Sequence, residues 1–137
     1  MAYIKIFPIK STVKKAVDYV THADKTEDQN LVSSFGCTPE TADLEFAMTA
    51  KLARDNVMEK GDNLAWHMII SFKPGEITDP KLAPEVGTRI AEAALKGKYE
   101  YVLSTQVDKD HVHCHLIFNA TSFVDHQKYR SHKKSYR

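Results

Sequence analysis

The chain reads as an α+β domain, with an antiparallel-rich central sheet, helices packed on one face and the other face left open. Three observations carry that reading. Strand-like and helix-like periods alternate along the chain in the order βαβαβαββ. The last two strands are separated only by Asp108-Lys109-Asp110, a hairpin connection that makes them antiparallel. The last strand sorts its residues cleanly, with apolar side chains on one face and three histidines on the other. A sheet of returning strands buries one face under helices and leaves the second available to solvent.

Each element follows from its residues. Ala2 to Pro8 alternates weakly through Tyr3, Ile4, Ile6 and Phe7 and reads as the first strand. Thr12 to Thr21 reads as a helix, because Val13, Ala16, Val17 and Val20 recur at helical spacing, with Ser11 or Thr12 as its cap. His22 to Asn30 is polar and of mixed charge, a loop; Leu31 to Phe35 is a short strand closed by Gly36. Thr38-Pro39-Glu40 is a helix start, and that helix is expected to run to about Lys60 and stop at Gly61-Asp62-Asn63. Leu64 to Phe72 is a strand ended by Lys73-Pro74-Gly75, and Pro84 to Lys96 is a helix ended by Gly97. Tyr99 to Val107 and His111 to Thr121 complete the sheet.

Composition narrows the class. At 137 residues the chain fits one domain, 1–137, and 42% hydrophobic residues suffice for a core. No apolar run approaches the roughly 18 residues a membrane span needs, so no membrane contact is expected. Met1-Ala2-Tyr3-Ile4-Lys5 lacks the basic-then-apolar pattern of a secretory leader. Two cysteines, Cys37 and Cys114, make no disulfide framework, and a reducing, cytoplasmic setting is expected. Net charge is only +1, but Lys128, Arg130, Lys133, Lys134 and Arg137 crowd the last ten residues with His132 and no acid. Such an end suits a phosphate backbone, although a charge run by itself is more often a solvated tail. Because the chain stops in basic, coil-like sequence, it reads as an N-terminal piece of a longer protein.

The histidine strand holds the chemistry. Alternation puts His111, His113, His115, Ile117 and Asn119 on one face and Val112, Cys114, Leu116 and Phe118 on the other. Neutral imidazole is the commonest metal ligand. Histidines two apart on a strand have Cα atoms about 6.5–7 Å apart, which suits one ion; all three around one ion need a bend or twist. A neighbouring strand could supply the third ligand instead, from Gln106 or from His67, which alternates with the apolar Trp66, Met68, Ile70 and Phe72. A solvent-facing or nucleic-acid-contacting histidine cluster is the competing reading.

The stretch Thr105-Gln106-Val107-Asp108-Lys109-Asp110-His111-Val112-His113-Cys114-His115-Leu116-Ile117-Phe118-Asn119 resembles the metal motif of mobilisation relaxases, HUH-class tyrosine-dependent nucleases with an RRM-like palm. Lys14-Lys15-Ala16-Val17-Asp18-Tyr19-Val20-Thr21, followed by Asp24-Lys25-Thr26, resembles the family's tyrosine motif. His67 to Glu76, with Ser71-Phe72-Lys73-Pro74-Gly75-Glu76, resembles its middle segment. The resemblance implies His113 and His115 as the metal pair, with His111 a third ligand or a supporting residue. The family's upstream histidine is replaced by Gln106, which leaves the third ligand open among His111, Gln106 and His67.

The resemblance also implies the reaction. Tyr19 attacks a phosphodiester of single-stranded DNA at an origin of transfer, leaving a 5′-phosphotyrosine and a 3′ hydroxyl, so that the strand can be rejoined. A divalent ion (manganese, magnesium or zinc) polarises and orients the phosphate. Asp108 and His111 are candidates for supporting roles. Lys5, Lys10, Lys14, Lys15 and the basic tail are candidates for phosphate contacts, and accessory relaxosome proteins are expected partners. Three alternatives stand beside this. One is a rolling-circle replication initiator, disfavoured because its tyrosine typically follows the histidines; another is a non-catalytic single-strand-binding module of relaxase descent; the third is a generic metallohydrolase, disfavoured because no acidic ligand cluster of the usual kind accompanies the histidines.

Overall fold

The computed structural model describes residues 3–21, 31–53, 63–73, 82–108 and 111–129; the side chains of 107, 108 and 111 lie outside that description. The elements, in chain order, are β1 (Tyr3–Ile9), α1 (Val13–Val20), β2 (Val32–Phe35), a 3-10 turn (Pro39–Thr41), α2 (Ala42–Leu52), β3 (Ala65–Phe72), α3 (Ala83–Leu95), β4 (Tyr101–Asp108) and β5 (His111–Asn119). The expected order βαβαβαββ is therefore the observed one. The strands form one sheet in the order β1-β3-β5-β4-β2, and every neighbouring pair is antiparallel.

The histidine-bearing strand takes the middle. In β5, Cys114, Leu116, Ile117 and Phe118 are completely buried. One face of the sheet, with Met68, Ile70, Phe72, Leu103, Cys114, Leu116 and Phe118, packs against Ala83, Ala91 and Leu95 of α3. Gly87 permits the close approach: a Cβ there would stand 3.0 Å from the Cys114 sulfur and 3.3 Å from Leu103. A mid-helix glycine costs roughly 0.5–1 kcal/mol against alanine, which the burial of that seam offsets.

The expectation that helices occupy one face only is corrected here. Val13, Val17 and Val20 of α1 and Ala42 and Phe46 of α2 pack on the histidine face, against Ala65, Val102 and Ile117. The apolar stripe of α1 needs cover, and Ile117 and Val102 are apolar where the histidine pattern has ended. Among the described residues, the end of that face bearing His113 and His115 stays open.

Local chemistry shifts several boundaries. Thr12 occupies the N-cap position of α1 in a left-handed conformation (φ 50°), and its side chain makes no capping bond. The expected helix from Pro39 to Lys60 begins as the 3-10 turn, and α2 ends at Leu52; residues 54–62 lie outside the described part. Glu45 rather than Thr38 organises that start, accepting from the Thr38 N–H (2.8 Å) and the Thr41 hydroxyl (2.9 Å). The hairpin turn residues 109 and 110 and the basic tail from residue 130 onward also lie outside the described residues. Tyr129 of that end is a packing residue, edge-on to Phe118 at 4.8 Å and to Trp66 at 5.9 Å.

Asn119 closes the covered end of the sheet. Its amide donates to the Phe46 carbonyl at 3.1 Å and to the Glu100 carboxylate at 2.9 Å, and its oxygen accepts from the Thr121 N–H at 3.2 Å. Both Asn119 and Glu100 are buried, at 1% and 5% exposure. Asn119→Ala strips the carboxylate and the carbonyl of a donor they cannot replace from solvent. We expect a loss of about 2–3 kcal/mol in urea unfolding; a loss below about 0.5 kcal/mol would show that water enters and satisfies the pair.

Candidate metal and nucleophile site

The register brings the sequence-derived residues onto one surface. His113 faces Ser71 on β3 and Gln106 on β4, while His115 faces Ile69 on β3 and Ser104 on β4. Tyr3, Lys5, Ile69, Ser71, Gln106, His113 and His115 together line an open concavity of about 440 Å³. The backbone of His111 continues that face opposite Asp108, at the open end of the hairpin.

The two central imidazoles are held from the same side. The Nδ1 of His115 lies 2.9 Å from the Nε2 of His67, and the Nδ1 of His113 lies 3.1 Å from the Ser71 hydroxyl. His67 shares the histidine face, as alternation required, but is buried at 9% exposure rather than open. Its ring packs against Phe7, with centroids 4.8 Å apart. Burial pushes the His67 imidazole down to about 4, so it is neutral at physiological pH. Its ring nitrogen toward the cluster is taken up by His115, which removes it from the first rank of ligand candidates.

Among the described residues no group of three His, Cys, Asp or Glu side chains stands placed around a common point for a metal. The donor set in the concavity is two imidazoles and the amide of Gln106. With both Nδ1 atoms engaged from β3, an ion would be taken at Nε2 of each ring. Two nitrogens with an amide oxygen suit a divalent ion of borderline or hard character, so the residues present fit such an ion.

The helix bearing Tyr19 ends beside this cluster. The carbonyl of Val20, the last residue of α1, accepts a hydrogen bond from the Ser104 hydroxyl and, at 3.5 Å, one from the Gln106 amide. Ser104 and Gln106 are the β4 residues opposite His115 and His113. Tyr19 sits one residue before that anchored carbonyl and is 60% exposed. Its ring is not among the side chains lining the concavity, and α1 is tied to the cluster through the Val20 carbonyl.

No motif singles out Ser104, and Ser71 enters only as part of the middle segment. Ser104 opens the polar run Ser104-Thr105-Gln106 of β4, and its spacing of two from Gln106 places both on the histidine face. Ser71 follows His67 by four, an even spacing that also selects that face. The cysteines offer no competing nucleophile. Burial raises the Cys114 thiol, and burial together with Glu45 and Glu100 pushes Cys37 up to about 12.

Comparison with known proteins identifies the family. The family model for the MobA/VirD2-like relaxase nuclease domain matches residues 19–137, starting on Tyr19. The chain is 34% identical over 125 residues to the group II intron-interrupted relaxase LtrB of Lactococcus lactis, covering 76% of this chain and 22% of that protein. It is 30% identical over 122 residues to the protein rlx of Staphylococcus aureus, covering 88% of this chain and 36% of that protein. Against the protein TraI of Escherichia coli it is 26% identical over 129 residues, covering 90% and 17%. The chain thus spans about a sixth to just over a third of the length of these relatives. No helix among the described residues is long and apolar enough to cross a membrane. With a two-histidine concavity beside the end of a helix whose last turn carries an exposed tyrosine, and with the family model covering most of its length, the chain belongs to the MobA/VirD2-like relaxase family, in the nuclease domain.

Proposed function

We propose that this domain nicks and rejoins one strand of DNA at an origin of transfer, with Tyr19 as the nucleophile, for mobilisation of a plasmid or transposon. The observation that carries the reading is the anchoring of the α1 terminus: Ser104 and Gln106 hold the Val20 carbonyl opposite the two histidines. Tyr19 precedes that anchored carbonyl by one residue, which supports its assignment as the nucleophile.

In this reading the Tyr19 oxygen attacks phosphorus, the bond from phosphorus to the 3′ oxygen breaks, and the strand is left with a free 3′ hydroxyl. The phenolic proton is lost as the new bond forms, and the departing 3′ oxygen gains one. The phosphodiester bond is exchanged rather than hydrolysed, so the reverse attack reseals the strand. His113 and His115 hold the divalent ion, with Gln106 or His111 as third ligand and Asp108 in support. When bound, that ion supplies Lewis-acid polarisation of the scissile phosphate. Lys5, on the concavity wall, offers a cation to the DNA backbone. Accessory relaxosome proteins would present the strand in single-stranded form.

The test uses end-labelled single strands from the transfer origin of the encoding element, incubated with the protein and manganese and run on a denaturing gel. The expected result is one covalent protein–DNA adduct. Binding without an adduct, in manganese, magnesium or zinc, would instead make the chain a single-strand-binding module of relaxase descent.

A further inference from the structure

We propose that His67 and Ser71 on β3 are positioning residues, holding the Nδ1 atoms of His115 and His113 so that both rings present Nε2 to a divalent ion. The inference rests on the metal reading above and adds the device that prepares the site. A neutral imidazole carries one N–H and one lone pair. A ring that ligates through Nε2 must carry its proton on Nδ1, and that proton needs an acceptor. His115 finds it in the Nε2 of His67 at 2.9 Å, and His113 finds it in the Ser71 hydroxyl at 3.1 Å.

Both acceptors come from the strand that pairs directly with β5, which fixes their placement. His67 is diagonal to His115, two residues along β3 from Ile69, which lies opposite it, and Ser71 is directly opposite His113. His67 is itself immobilised, buried at 9% exposure and packed on the Phe7 ring. To accept from His115 it must carry its own proton on Nδ1, so the pair forms a directed chain from His67 through His115 to the ion. Partners of this kind fix the tautomer and orientation of metal-bound histidine, and losing one typically costs about 10–100-fold in metal affinity.

The experiment has two readouts. Long-range nitrogen–proton NMR of the metal-free protein at neutral pH reports the tautomers directly. His115 and His113 are expected as Nδ1–H forms. In His67→Phe, which keeps a ring against Phe7, His115 should revert to the Nε2–H form while His113 stays unchanged; Ser71→Ala should do the converse. By calorimetric titration, His67→Phe should bind manganese about 10–100-fold more weakly. His67→Gln, whose amide oxygen can accept the same bond, should restore most of that loss.

An Nε2–H tautomer for His115 in the wild type, or no change in His67→Phe, overturns the proposal. So does a loss of manganese as complete as in His113→Ala, since that makes His67 a ligand. If the wild type takes up no manganese, the metal reading falls, and the tautomer spectrum still decides whether His67 sets His115. Should His67→Phe fail to fold, Ser71→Ala on His113 decides the matter.

Discussion

Replacing Tyr19 with phenylalanine is expected to abolish the covalent protein–DNA adduct while leaving fold and DNA affinity almost intact. The ring is 60% exposed in the last turn of α1, so loss of its hydroxyl removes nothing from the core. Surface changes of this kind usually move stability by no more than about 0.5 kcal/mol. The helix itself stays anchored, because Val13, Val17 and Val20 are buried and the Val20 carbonyl keeps its bonds to Ser104 and Gln106. Activity should fall by a factor on the order of 10⁴ or more, the scale seen when a covalent nucleophile is removed. The measurement is adduct yield on a denaturing gel beside single-strand affinity by fluorescence anisotropy. An adduct that survives Tyr19→Phe assigns the nucleophile to another residue and ends this mechanism.

His113→Ala should remove manganese binding and adduct formation together. A ligand lost directly should cost more than the roughly 10–100-fold typical of a supporting partner. The fold should survive, because His113 is only half-buried and projects into the concavity rather than into either core cluster. Gln106 provides the opposite test. Its amide lies opposite His113 on β4, where the family's upstream histidine is expected. Gln106→His should tighten manganese binding, and Gln106→Ala should weaken it by less than His113→Ala does. Calorimetric titration orders the three variants. If Gln106→His leaves affinity unchanged, the third ligand comes from elsewhere, with His111 next in line.

Much of the sheet was legible because strand alternation is a local property. Val112, Cys114, Leu116 and Phe118 could be assigned to a core face from spacing alone, and all four are buried. The same rule placed His113 and His115 together on the opposite face. It failed for the far end of that face, where Ile117 and Asn119 are buried under α1 and α2 rather than open. Nothing in the spacing of a strand reports which helix returns to cover it. The helix expected to run to about Lys60 is interrupted at Ala53, where the backbone leaves the helical conformation, and the rest of that stretch, 54–60, lies outside the described residues.

What the sequence by itself determined is the list of chemical groups and their faces: a tyrosine on a short amphipathic helix, histidines alternating with apolar residues on one strand, and the order of the elements between them. These follow from the periods of helix and strand, which neighbouring residues set. Only the tertiary structure decided how the groups relate. Antiparallel pairing of β3 with β5 turned His67 from a ligand candidate into the partner of His115 and brought Ser71 to His113. Packing of α1 across β4 put the Val20 carbonyl on Ser104 and Gln106, 84 and 86 residues away along the chain. Such contacts depend on strand register and helix docking. Both are settled by the burial of Ile117, Val102 and the α1 valines as a set, a condition that no single stretch of sequence contains.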